Sequence, residues 1–114
     1  MIAVIFEVEV PEEQQSAYLA YAATLRTQLE QMDGFISVER FTSMQHANKL
    51  LSLSYWRDEA AVKAWRNQAT HRASQVAGRN GVFADYRLRV ATILRDYSMH
   101  ERDEAPADSR QHHG

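Results

Sequence analysis

Tyr55-Trp56-Arg57-Asp58-Glu59-Ala60-Ala61-Val62-Lys63-Ala64-Trp65-Arg66-Asn67-Gln68-Ala69-Thr70-His71-Arg72 is the stretch in which the hydrophobic period of the chain changes. Up to Trp56, starting from Lys49, the residues alternate with a period of two, which marks a strand. Beyond it, Val62, Trp65, Ala69, Ala73 and Val76 recur at steps of three and four, the stripe of an amphipathic helix. Asp58 stands at the change, where a carboxylate suits a helix N-cap. The passage therefore predicts a strand running directly into a helical region, from about Asp58 to Arg79, with a break near Asn67 to Thr70.

The elements on either side complete an alternating set. Ile2, Val4, Phe6, Val8 and Val10 interleave with Ala3, Ile5, Glu7 and Glu9, giving a strand with one fully apolar face. Pro11, Glu12 and Glu13 then supply a helix start, because proline suits the first turn and carboxylates favour the positive end of the helix dipole. Tyr18, Ala22, Leu25, Leu29 and Met32 form the stripe of that helix, and Asp33-Gly34 closes it. A second alternation covers Phe35 to Thr42, and the polar residues Ser43 to Asn48 turn the chain into the strand that ends at Trp56. Gly78 to Gly81 signals a loop, after which Tyr86 to Tyr97 returns to strand alternation. The order strand, helix, strand, strand, helix, strand predicts an α+β, ferredoxin-like domain over residues 1–97, its antiparallel sheet ordered 4-1-3-2 with both helices on one face. The polar residues 98–114 read as a flexible tail.

The other face of such a sheet would carry Ala3, Ile5, Ala91 and Ile93 among Glu7, Glu9, Arg87, Arg89 and Arg95. That face is too apolar to leave in water, so a second copy packed sheet to sheet is expected, a homodimer with charges paired between neighbouring strands.

Composition narrows the function classes. At 114 residues, with 45% apolar and 25% charged residues, the chain is one ordinary globular domain. With no cysteine it has no disulfide and no thiolate nucleophile or ligand. A formal charge of -2, with scattered basic residues, argues against nucleic acid as a partner. No apolar run approaches the ~20 residues of a membrane span, and a cytoplasmic location is the default expectation. Gly78 and Gly81 lie outside any strand-to-helix junction, so no phosphate-cradling loop is present. His46, His100, His112 and His113 lack the spacing of a buried metal site, and no metal is expected.

Trp56 and Trp65 occupy core positions of the strand and the helix, where they pack the sheet against the helices and can also line a small-molecule pocket. Phe83 and Tyr86 suit either the core or the mouth of such a pocket. His71 is the best titratable candidate, since an imidazole pKa near ~6.5 allows it to gain or lose a proton at working pH. A lone histidine beside an Asn and an Arg is more often a helix-capping or surface hydrogen-bonding residue.

The run Trp56-x-Asp58-Glu59-x-x-Val62-x-x-Trp65 with His71 after it, and the Phe83-Ala84-Asp85-Tyr86-Arg87 lead into the last strand, resemble the antibiotic biosynthesis monooxygenase domain family. The resemblance spans most of residues 1–97 and implies a dimeric α/β barrel with a pocket between helices and sheet in each subunit. It also implies small-molecule chemistry: cofactor-independent oxygenation of polycyclic aromatics, haem degradation, or the handling of quinones and small signalling compounds. The haem-degrading branch carries an Asn on the first strand and an axial His about ten residues after the helical Trp. Here those positions fall near Phe6 or Glu7 and at Gln75, while His71 lies only six residues past Trp65, about 240° around a continuous helix. The anthrone-oxidising branch is matched at Trp56, but its Asn four residues earlier is Ser52 here. What the resemblance favours is a cofactor-independent monooxygenase of a hydroxyaromatic or quinol-type substrate. In that reading His71 abstracts the acidic proton, Asn67 or Arg72 steadies the resulting anion, and Trp56, Trp65, Phe83 and Tyr86 hold the substrate. The alternatives are a non-enzymatic binder of an aromatic or haem-like ligand, and an isomerase or lyase of a small signalling or catabolic compound.

Overall fold

The computed structural model describes residues 1–68 and 83–113. Its four-stranded antiparallel sheet comprises β1 (Ile2–Glu9), β2 (Phe35–Thr42), β3 (Lys49–Trp56) and β4 (Asp85–Thr92), in the spatial order β2-β3-β1-β4. This is the order expected from the sequence. β1 lies between β3 and β4, with Phe6 opposite both Ser52 and Leu88, so one alternation fixes the inner and outer faces of three strands at once.

β2 joins β3 through a register shift between Phe35 and Ser37. The extra residue puts Phe35 and Val38, three apart, on the face that carries Trp56 and Ser54. Phe35 then meets Trp56 edge to face, with ring centroids 5.4 Å apart.

Pro11 leads into a 3-10 turn (Glu12–Gln14), and α1 spans Gln15–Leu29. The acidic pair thus lies in the turn that precedes the α-helix rather than in the α-helix itself. Gln15 fastens this corner, its Nε2 donating to Val10 O at 3.3 Å and to Asn48 Oδ1 at 3.2 Å. Tyr18, Ala22 and Leu29 on the predicted stripe are buried. After Glu30 the chain tightens into i→i+3 bonds and leaves the helix through Gly34, whose φ of +86° only glycine adopts at little cost.

α2 spans Glu59–Arg66, and Asp58 is its N-cap, accepting from the Ala61 backbone N–H at 2.9 Å. The helix stops at Arg66, at the start of the break expected from the sequence. Ala69, Ala73, Val76 and the Gly78 to Gly81 loop lie outside the described residues.

Two expectations for the C-terminal part need correction. β4 ends at Thr92 instead of running to Tyr97, because β1, its partner among the described residues, begins at Ile2, and pairing stops with the bond from Ile93 N to Met1 O. Arg95 is therefore past the sheet. Residues beyond Ser98 are not irregular throughout: Pro106 precedes a short helix, α3 (Ala107–His113), and Ala105 is buried.

Apart from Ala3, Ala22 and Ala105, the buried side chains of the described residues fall into two clusters. Leu29, Val38, Trp56, Ala61, Val62 and Trp65 form one, while Val8, Val10 and Tyr18, joined by Phe6, Leu50 and Phe83, form the other. Among the described residues no helix is long and apolar enough to cross a membrane.

Candidate functional site

Between the two clusters the inner face of the sheet and the helices form a partly open cavity of about 300 Å³. Its lining is mostly apolar, and α1 contributes Tyr18, Tyr21, Ala22 and Leu25. Trp56, Val62 and Trp65 wall one end, with the two indole rings 6.5 Å apart. At the other end Phe83 packs against Phe6, Tyr18 and Tyr86 at centroid distances of 5.9, 6.0 and 6.0 Å. Such a space suits a small ring-bearing molecule.

All four aromatic residues singled out from the sequence as pocket-lining reach this cavity. Trp56 is almost wholly buried and also serves as core. Its indole N–H donates to Ser54 Oγ at 3.0 Å, so that donor is committed within β3 rather than presented to a ligand carbonyl. Ser52, the counterpart of the Asn in the anthrone-oxidising pattern, does line the cavity.

The expected catalytic group is placed less completely. Asn67 closes α2, its backbone N–H bonded to Lys63 O at 3.1 Å, and it is exposed and does not line the cavity. His71 and Arg72 lie outside the described residues. α2 ends at Arg66, so the 240° step of a continuous helix does not apply between Trp65 and His71. At the first-strand position of the haem-degrading pattern, Phe6 faces the cavity and Glu7 the opposite side of the sheet, where it pairs with Arg89 at 3.0 Å and Lys49 at 3.9 Å.

Sequence reasoning missed Arg40. It sits on β2 opposite Ser52, lines the cavity, and its Nε is buried with no hydrogen-bond partner among the described residues. Tyr18 stands beside it. Burial pushes the Tyr18 phenol above its ordinary range, and the Arg40 charge and hydrogen bond act in the opposite direction. The available signal was an Arg two residues after Val38, on the strand face that should be apolar.

A second, larger depression of about 490 Å³ lies by the β2–β3 turn, lined by Glu9, Pro11, His46 and Asn48 among others, and it opens broadly to solvent. Among the described residues, no three His, Asp or Glu side chains are grouped to hold a metal ion.

Comparison with known proteins agrees with this architecture. The family model for antibiotic biosynthesis monooxygenase matches residues 1–77. A jasmonate monooxygenase of Pyricularia oryzae is 43% identical over 101 residues, covering 89% of this chain and 47% of that protein, so the chain spans about half the length of this relative. YqjZ of Bacillus subtilis is 30% identical over 100 residues, covering 87% of this chain and 84% of its own. Among solved structures, a candidate antibiotic biosynthesis monooxygenase of Deinococcus radiodurans superposes with a TM-score of 0.78 at 10% identity, covering 86% of this chain and 97% of its own. Rv0793 of Mycobacterium tuberculosis gives a TM-score of 0.76 at 18% identity, covering 85% and 98%. At those identities the structures bear on fold alone, and it is the sequence matches that establish membership: the chain belongs to the antibiotic biosynthesis monooxygenase family.

Proposed function

We propose that the protein is a homodimeric, cofactor-independent monooxygenase that takes a small cyclic, mainly apolar substrate into the cavity beside Trp56 and Trp65. The observation that carries this reading is the partly open, aromatic-walled cavity itself, in a chain of this family. For a hydroxyaromatic or quinol-type substrate, removal of an acidic C–H or O–H proton leaves an electron-rich anion that reduces dioxygen directly. An anthrone-type methylene then becomes a carbonyl, one dioxygen is consumed and one water is released, with no external reductant. In this scheme His71 takes the proton and Asn67 or Arg72 steadies the anion, while the cavity orients the ring and excludes water. Oxygen uptake with a panel of anthrones and hydroquinones, in the absence of reductant, is the test. Replacing His71 by Ala should lower turnover about 100-fold or more, the scale of general-base catalysis. Unchanged turnover in that variant removes His71 from the mechanism.

The Pyricularia relative supports a second substrate reading, a jasmonate-like cyclopentanone carboxylate. Hydroxylating an unactivated carbon consumes one dioxygen, two electrons and two protons, and yields the alcohol and one water. That reaction therefore requires an external two-electron donor such as a reduced nicotinamide. Dependence of oxygen uptake on such a donor separates the two substrate classes.

A further inference from the structure

We propose that Arg40 is an anion anchor inside the cavity, and that the ligand is a small amphipathic acid whose carboxylate meets this guanidinium while its apolar ring lies against the two tryptophans. The proposal rests on the reading that a ligand occupies this cavity, and adds the charge and orientation of that ligand.

Three observations converge on it. The cavity has two charged lining residues among those described, Arg40 and Arg66, both cationic, and no carboxylate accompanies them. Arg40 forms no salt bridge among the described residues; its guanidinium meets the neutral Tyr18 hydroxyl, and its Nε is shielded from solvent without an acceptor. A cationic charge left without a counter-charge beside an apolar lining is unfavourable, so a site of this kind favours a ligand that brings a negative charge to the guanidinium. The guanidinium also offers a planar fork that matches two carboxylate oxygens, which a neutral carbonyl cannot exploit to the same degree.

Position supplies the orientation. Arg40 pairs with Ser52 across β2 and β3, and Ser54 and Trp56 follow at two-residue steps on the same inner face of β3. A carboxylate at Arg40 is thus flanked by the Ser52 hydroxyl and the Tyr18 ring, with the apolar part of the ligand extending along β3 toward Trp56 and Trp65. Arg66 is exposed at the end of α2 and lines the outer part of the space, where a positive charge assists the approach of an anion.

The test uses the whole protein and a matched pair of optically silent probes, 4-cyclohexylbutanoate and its methyl ester, with binding read from tryptophan emission and calorimetry. At pH 7 the acid should bind at least about tenfold more tightly than the ester, the scale of one charged hydrogen bond. Arg40→Gln should abolish that preference while leaving the ester's affinity within about threefold, so the ester reports that the cavity is still formed. Arg40→Lys, which keeps the charge but not the fork, should fall between. Equal binding of acid and ester by the wild-type protein, or a preference that survives Arg40→Gln, overturns the anchor while leaving the cavity reading in place. Failure of both probes to bind overturns both.

Discussion

Gly34 shows most directly how one residue positions the site. Its φ is +86°, and a Cβ added there would meet the Ala61 Cβ at 2.6 Å, in the helix that carries Trp65. Gly34→Ala therefore combines backbone strain with a close approach between the α1–β2 turn and α2. The expected loss is about 2–4 kcal/mol, seen as a fall in thermal midpoint on the order of 10 °C. An unchanged midpoint would mean that the turn relaxes freely and does not set the distance to α2. At this same scale the sequence was legible for Gly34, Asp58 and the aromatic residues, whose roles follow from local chemistry. It was not legible for Arg40, because its environment depends on which side of β2 faces the helices and on a one-residue register shift near Ile36 that simple alternation does not reveal. The expected pairing of charges on neighbouring strands was readable and holds for Glu7 and Arg89.

At the scale of elements, the junction from β3 to α2 is held by charges that respond to pH. Arg57 grips Asp33 through two hydrogen bonds of 3.1 Å and also contacts Asp58 at 3.1 Å, while Asp58 caps α2. The Ala61 N–H, followed by Arg57, holds the Asp58 carboxyl below its ordinary value of 3.8, and Arg57 does the same for Asp33. Both groups have a lower pKa folded than unfolded. Their contribution is therefore complete above the ordinary carboxylate value and is lost as the pH falls through the folded values. Asp58→Asn keeps an oxygen acceptor at the cap but removes the charge. Its deficit relative to wild type should be largest near neutral pH and shrink below about pH 4 in denaturant titrations. A deficit that stays constant with pH would assign the effect to geometry rather than to charge. Salt should also reduce it, since both carboxylates are exposed. Element boundaries were less evenly legible than elements, and for a physical reason: the end of α2 at Asn67 falls where the sequence expects a break, whereas β4 ends where its partner begins, which is a tertiary fact.

For the whole molecule, the outer face of the sheet is where a second copy is expected to pack. Ile5 lies opposite Leu53 on the two central strands, and both remain only partly buried, as do Leu51 and Tyr55, while Phe41 at the edge is 42% exposed. The Lys49–Glu7–Arg89 set crosses this face, so the Glu7 carboxylate is already paired within one chain and does not oppose a second sheet packed on it. The face is central to the site as well as to assembly, because the strand that presents Leu51, Leu53 and Tyr55 outward presents Ser52, Ser54 and Trp56 inward. A second sheet packed on the outside, as proposed, would therefore brace the wall of the cavity on the inside. Light scattering at micromolar protein should give twice the 13.1 kDa chain mass for the wild type. Leu53→Arg places an unpaired charge at the middle of the expected interface and should give a single-chain mass. If the sheet wall depends on the partner, the same variant should also bind 4-cyclohexylbutanoate several-fold more weakly, although Leu53 lies on the side of the sheet away from the cavity. A wild-type mass of one chain would remove the dimer, and a monomeric Leu53→Arg variant with undiminished affinity would show that each sheet holds its cavity unaided.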